Sequence, residues 1–377
     1  MKKEDVASLL VYALMLIMAL LIGLLVIRNL FAEATIAVNP YVFTILMVIA
    51  GLILNVVLIE LGHIIGGKIG KYNIVSVNFL GFCFYKALGK WKFGFRNFDG
   101  LTGETILAPK SEKSNPKPYI WFPVLFYVIE LAVCIVFYSI GKTADVEHAF
   151  LRSMSLSSII ILVIGSMITL YNFVPVHLDS TTDGYRLTLV LSNPVNIEAY
   201  NELLRIQNLQ REGKEVSEIK LFDVITDFTA SLNLMSVYEC LSSRDYDAAN
   251  KIIEPMIADS KKISNTTYQR LIAQYLYIKI MTLPIEEARA YYDENVDDKT
   301  RRFISNDLSM ESLRAYILIA GLLDESQGEI LYVQSKIKKA MKLALPARAQ
   351  IEKDLYTDAL AKVYTVHPEW KDTEVIG

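Results

Sequence analysis

Leu58-Ile59-Glu60-Leu61-Gly62-His63-Ile64-Ile65-Gly66-Gly67 closes an apolar run that starts near Tyr41. Such a run is long enough to cross a bilayer as a helix, which takes about 20 mostly apolar residues. Its polar members sit at one end. On a helix, the pattern H-E-x-x-H places two imidazoles one turn apart on one face, where they bind zinc. The Glu beside the metal then serves as general base. Glu60 and His63 occupy the second and last places of that pattern, while the first place holds Ile59, which has no atom to offer a metal.

The rest of the chain fits a membrane frame. Of its 377 residues 53% are hydrophobic and 21% charged, and the mean hydropathy is +0.33. The charges are uneven: between Val6 and Ile59 only Arg28 and Glu33 are ionic, whereas charges are dense after Asp179. A membrane half therefore precedes a soluble half. Four stretches reach spanning length: Val6–Ile27, Tyr41–Ile65, Tyr119–Ile140 and Ser153–Val176. The first follows Lys2 and Lys3 and precedes Ala32-x-Ala34, as a signal peptide would, but it exceeds the roughly 7–15 apolar residues of a signal core and is read as a retained helix. Lys and Arg crowd residues 66–118, so the charge bias places that loop and both termini in the cytoplasm. The three cysteines, Cys83, Cys134 and Cys240, are far apart and form neither a disulfide framework nor a zinc knuckle. A net charge of −3 with no basic stripe points away from nucleic acid.

Within the loop, residues 72–85 alternate in places around a Gly and suit a short hairpin at the membrane surface. Trp91, Phe93, Phe95 and Phe98, interleaved with Lys and Arg, suit an interfacial segment. Beyond Gly184 the chain reads helical. Asp245–Ile257 and Pro284–Tyr292 look like second helices of tetratricopeptide-type hairpins, with Ala249 and Ala288 at the packing positions. Their offset, 245 to 284, is 39 residues rather than the regular 34. The expected fold class is mainly all-α: a multi-pass bundle of about four spans with a small surface β-hairpin, then a soluble helical-hairpin domain. Residues 1–40 hold the first helix and an external loop, 41–190 the membrane core and 191–377 the cytoplasmic domain, which could present a groove to a protein partner.

Two further motifs end the fourth stretch: Asn172-Phe-Val-Pro175 and Thr182-Asp183-Gly184. By the charge rule they lie at the same membrane face as Glu60 and His63, at matching depth. Taken together, residues 41–190 resemble the site-2 protease family of intramembrane zinc metalloproteases. There, H-E-x-x-H on one membrane helix supplies two His ligands and the catalytic Glu, and an N-x-x-P…D-G segment on a later helix supplies an Asp. The resemblance implies Glu60 as the catalytic base, His63 and Asp183 as metal ligands, zinc as the cofactor, and Asn172, Pro175 and Gly184 as supporting positions. It also implies a membrane-associated peptide or protein as the bound partner, beside the lipid bilayer itself.

The departure at Ile59 leaves two ligands where a catalytic zinc takes three protein ligands and a water. Tight zinc binding is not expected unless another side chain moves in. Glu130, mid-membrane in the third stretch, and His177, just after the fourth, are the candidate substitutes; Asp179 is an alternative to Asp183. Three functions follow: a degenerate homologue that binds membrane segments without cutting them, an active intramembrane endopeptidase, and a non-enzymatic accessory of a membrane transport or export system.

Overall fold

The computed structural model describes residues 3–24, 39–87, 90–95, 103–143, 149–175, 181–214, 216, 219–344 and 348–373. The chain forms two compact units, Met1–Asn201 and Glu202–Gly377.

The first unit is built on helices that hydrophobicity alone dictates. In a bilayer no water satisfies the backbone, so an apolar run of spanning length must be helical. Three helices are long and apolar enough to cross a membrane: α2 (Pro40–Ile69), α3 (Pro116–Thr143) and α4 (Ala149–Phe173). Helix α1 (Lys3–Ile22) has a described apolar portion, Leu9–Ile22, that is shorter. At 1.5 Å per residue it reaches about 21 Å, less than the roughly 30 Å hydrocarbon layer. Among the described residues three helices therefore reach spanning length. The end of the expected first span, with the loop after it, lies outside the described residues.

Helix α2 starts at Asn39, whose side chain accepts from the Tyr41 amide at 3.0 Å, with Pro40 in the first turn, where its missing N–H is no loss. Small residues set how closely its neighbours approach. A Cβ on Gly62 would stand 2.7 Å from Pro123 of α3, one on Gly66 would collide with the Pro118 carbonyl, and one on Gly51 would press Ile164 of α4. These contacts hold the end of α2 against the start of α3. By length alone, about 30 Å of helix separates Tyr41 from Glu60, the thickness of a hydrocarbon layer.

After α2 come four antiparallel strands, β1 (Tyr72–Phe79), β2 (Phe82–Ala87), β3 (Lys90–Phe95) and β4 (Gly103–Pro109), in spatial order β3-β2-β1-β4. The β1–β2 hairpin turns at Leu80 and Gly81, both with positive φ (53° and 85°), as a two-residue turn matched to strand twist requires. The sheet is larger than the expected hairpin. Lys90-Trp-Lys-Phe-Gly-Phe, read from sequence as an interfacial segment, is an edge strand that pairs Phe84 with Phe93 and Phe82 with Phe95; Phe98 lies outside the described residues. Strand β4 closes the other side, with Val77 opposite Thr105 and Phe79 opposite Gly103.

Helix α5 (Asp183–Ser192) and the start of α6 (Val195–Arg211) stay with this unit, eleven residues past the expected boundary at 190. The cause is local. Asn201 accepts from the Tyr72 hydroxyl, and its amide donates to the Ser114 carbonyl at 2.8 Å, fastening α6 to β1 and to the turn before α3.

The second unit comprises α7 (Asp227–Ser242), α8 (Tyr246–Ala258), α9 (Asn265–Thr282), α10 (Ile285–Asn295), α11 (Asp298–Asn306), α12 (Met310–Leu318, running into a π-turn at Ile319–Leu323), α13 (Gln327–Leu343) and α14 (Ala349–Val366). Thr226, Asp245, Ser264, Asp297 and Ser309 cap α7, α8, α9, α11 and α12, each accepting a backbone amide of the first turn. The pairs α7/α8 and α9/α10 are helical hairpins, with Ala249 and Ala288 buried in their second helices. They do not continue as a linear array: α9 packs against α8, α10, α11 and α12, so it and α12 form a buried centre. Arg314 of α12 is fully buried there, donating to Glu352 at 2.7 Å and to Gln274 at 2.6 Å, with its guanidinium over the rings of Tyr277 and Tyr238.

Candidate functional site

Helical spacing places Glu60 and His63 on the end of α2, both buried, at 4% and 5% exposure. Asp183, the first residue of α5, is equally buried at 3%. The chain brings the last two into contact: His63 Nε2 lies 3.2 Å from Asp183 Oδ2. Glu60 is within electrostatic reach of both. The two motifs that stand 120 residues apart in sequence therefore share one pocket.

The second motif is a single folded piece. Asn172, near the end of α4, donates from Nδ2 to Asp183 Oδ2 at 2.7 Å, and its Oδ1 accepts from the Asp183 amide at 3.4 Å. Thr182 caps α5 by accepting from the Tyr185 amide and donates to the Val174 carbonyl at 2.9 Å. Gly184 is required by space, since a Cβ there would strike the Phe173 carbonyl oxygen. Pro175, one residue past Val174, lies where helix α4 has ended. Asn172, Gly184 and Asp183 are thus one device for returning the chain and aiming a carboxylate at α2.

Three contributors were not evident from the sequence. Tyr119, at the start of α3, offers its carbonyl to His63 Nδ1 at 3.1 Å, sets its ring 4.6 Å from the imidazole, and donates its hydroxyl to the Thr105 carbonyl at 3.1 Å. Thr105 of β4 donates to Glu60 Oε2 at 2.5 Å, and Gly103 packs so closely on the Glu60 carboxyl that no side chain fits between them. Arg186, one turn into α5, reaches Asp183 Oδ1 at 3.4 Å. Only Tyr119 carried a hint, as an aromatic at the entry of an apolar stretch; the other two depend on a strand and a helix phase set by packing.

The electrostatics follow from these partners. Burial pushes the Asp183 carboxyl up, but the His63 ring, with Arg186 and Asn172, outweighs it and holds the group below the ordinary carboxylate range. Both ring nitrogens of His63 face oxygens that accept. A ring donating from both is the imidazolium, and a neutral ring would set a lone pair against one of the oxygens.

Zinc does not fit this donor set. His63 and Asp183 supply two ligand atoms, half-buried Ile59 supplies none, and Asp183 Oδ2 already accepts the Asn172 amide. Among the described residues no three His, Cys, Asp or Glu side chains group as a metal site, where catalytic zinc takes three protein ligands and a water. The candidate substitutes do not complete the set. Glu130 of α3 is instead bonded to Asn55 at 3.0 Å. Asn55 stands eight residues before His63, about 12 Å along the helix. His177 and Asp179 lie outside the described residues.

Comparison of the chain with family models, curated proteins and solved structures returned no match.

Proposed function

We propose that this is a membrane-embedded protein of site-2-protease type whose metal centre has been replaced by a His63–Asp183 ion pair, and that it binds membrane-associated peptide or protein segments without cleaving them. The observation that carries the reading is the shared burial of Glu60, His63 and Asp183 in one pocket, with Ile59 at the place of the remaining ligand. The proposed protein sits in the cell membrane with its termini and residues 66–118 on the cytoplasmic side, as the Lys and Arg of that segment favour. Its second unit, 202–377, is then available to a cytoplasmic protein partner. The bound segment would lie along edge strand β3, where Trp91, Phe93 and Phe95 are exposed and one row of backbone groups faces outward, the geometry of strand addition.

Purified full-length protein tests this directly. The expected result is zinc well below one per chain, no hydrolysis of membrane-segment peptides, and crosslinking of those peptides to a photoreactive residue at position 93 that survives Glu60→Gln. One zinc per chain with hydrolysis abolished by Glu60→Gln would establish an active endopeptidase instead. Absence of crosslinking with activity dependent on Glu130 would favour a transport accessory.

A further inference from the structure

The membrane bundle holds a second polar cluster that the Glu60–His63–Asp183 pocket does not use. Asn55 and His63 lie on one face of α2, two turns apart, with Ile59 between them, at the i, i+4, i+8 spacing. Asn55 is buried and donates from Nδ2 to the Gly51 carbonyl at 3.0 Å and to Glu130 Oε1 at 3.0 Å. Its Oδ1 remains an acceptor. The second carboxyl oxygen of Glu130, Oε2, is buried with no hydrogen-bond partner, and the residue is only 6% exposed.

The two oxygens converge on the same place. A Cβ added to Gly165 of α4 would sit 2.6 Å from Asn55 Oδ1 and 2.8 Å from Glu130 Oε2. The missing side chain of Gly165 is what lets them lie there. Two acceptors side by side in a dry bundle repel unless something positive or a donor lies between them. Among the described residues of α2, α3 and α4 no side chain supplies the charge. Helix α2 has no ionisable group between Tyr41 and Glu60, and α4 has none between Arg152 and Tyr171. On α3 itself the neighbouring titratable groups are Cys134, buried one turn on, and Tyr127, whose hydroxyl is bonded to Ser166 at 2.6 Å.

We propose that Glu130 and Asn55 form a proton-binding site inside the bundle, in which Glu130 is a neutral carboxylic acid that donates from Oε2–H to Asn55 Oδ1 above Gly165. The acid and the amide then exchange two hydrogen bonds, N–H to Oε1 and O–H to Oδ1, which gives Glu130 Oε2 its missing partner and leaves no charge in the membrane. The pair also joins α2, α3 and α4 at one level, two turns of α2 from His63. This inference stands apart from the protease-type reading, since none of its atoms belongs to that pocket.

Infrared difference spectroscopy of the full-length protein in liposomes at neutral pH tests it, comparing wild type with Glu130→Gln in sodium-free and sodium-containing buffer. The expected spectrum contains the carbonyl band of a protonated carboxylic acid that is lost in Glu130→Gln and is indifferent to sodium. In Asn55→Ala and in Gly165→Ala, whose added methyl enters the space between the two oxygens, the band moves toward that of an acid without a hydrogen-bond acceptor. These two variants keep the test decisive if Glu130→Gln fails to fold. A carboxylate band in place of the acid band overturns the proposal. So does an acid band that sodium removes, which would mark a metal-cation site, or one that neither Asn55→Ala nor Gly165→Ala displaces.

Discussion

Restoring the missing imidazole with Ile59→His should turn a two-ligand pair into a zinc site, and the geometry gives the size of the effect. Two ligand atoms about 2.0–2.2 Å from one tetrahedral ion stand about 3.3–3.6 Å apart. His63 Nε2 and Asp183 Oδ2 are 3.2 Å apart, so admitting an ion moves them by only a few tenths of an ångström. A His at 59 would stand one turn before His63, with Cβ atoms about 5–6 Å apart on the same face. The Tyr119 carbonyl already holds His63 Nδ1, the outer hydrogen bond that orients a ligand His and is worth about 10–100-fold in affinity where measured. A whole additional ligand should contribute at least that much. At free zinc 100 times the dissociation constant, binding stabilises the folded form by about 2.7 kcal/mol. For a unit of 201 residues, that raises the unfolding midpoint by roughly 5–11 °C, at about 2–4 °C per kcal/mol. The assay is zinc content by elemental analysis, with thermal unfolding in detergent with and without zinc. Ile59→His should gain near-stoichiometric zinc and a zinc-dependent rise in midpoint, both lost on adding His63→Ala. If Ile59→His binds no more zinc than the native chain, the pocket is not a metal site lacking one ligand. If the native chain already binds zinc fully, the ion-pair reading fails.

Other perturbations separate the parts of the structure. Asp183→Ala leaves the His63 ring without its buried partner and should destabilise the first unit by about 3–5 kcal/mol, read by hydrogen exchange in α2 and α5. Because the folded-state carboxyl of Asp183 is held below its ordinary value, its contribution is fully present above about pH 5. It is lost as pH falls through the depressed folded value, so the stability that the Asp183 carboxylate itself gives should shrink in acid, read as the difference between native protein and Asp183→Asn below about pH 5; no acid loss in the native protein beyond that of the variant contradicts the assignment. Gly184→Ala drives a methyl into the Phe173 carbonyl and should cost about 1–3 kcal/mol while displacing Asp183 from Asn172, visible as faster exchange at the Asp183 amide. In the second unit, Arg314→Ala strands Glu352 and should destabilise by about 3–5 kcal/mol; Arg314→Met keeps the stem between the Tyr238 and Tyr277 rings but strands the same carboxylate, so it should recover only the lost packing, and equal losses in both would show that the charge, not the packing, is what α12 needs.

What could be read from sequence was what one-dimensional pattern determines. The apolar runs became α2, α3 and α4 because the bilayer leaves a backbone no alternative, and the meeting of His63 with Asp183 was legible because two motifs ended two spans of the same direction. What escaped depended on partners far away in the chain. Lys90-Trp-Lys-Phe-Gly-Phe alternates as a strand should, yet alternating Lys and aromatics suit a membrane interface equally well, and only pairing with β2 decides between them. Glu130 looked available to the pocket because depth along α3 says nothing of rotation; its rotation toward Asn55 is fixed by which residues of α4 are small, Gly165 above all. The second unit shows the opposite failure, a signal present but outweighed. Residues 271–278 of α9 and 312–323 of α12 are buried all round, and a helix apolar on every side belongs at a centre rather than in an array with one open face. The spacing of Asp245 and Pro284 pointed to repeats, and the largely apolar stretches between and after them, broken by Gln274 and Arg314, were the better guide.

The same distinction bears on Ile59. Changing a ligand to an aliphatic residue usually leaves its partners as stranded polar groups, and such groups are lost or repacked because each costs free energy unless satisfied. Here nothing in the pocket is stranded. Asp183 accepts from His63, Asn172 and Arg186, His63 is held at both nitrogens, and Glu60 accepts from Thr105. A pocket waiting for a metal would keep at least one lone pair unengaged toward the vacant centre, as a ligand set without its ion must. The ion pair of His63 with Asp183 and the hydrogen bonds around it are what a stable metal-free arrangement requires. On the proposed protease-type reading, they also account for two motifs that stay together while one of them lacks its first histidine.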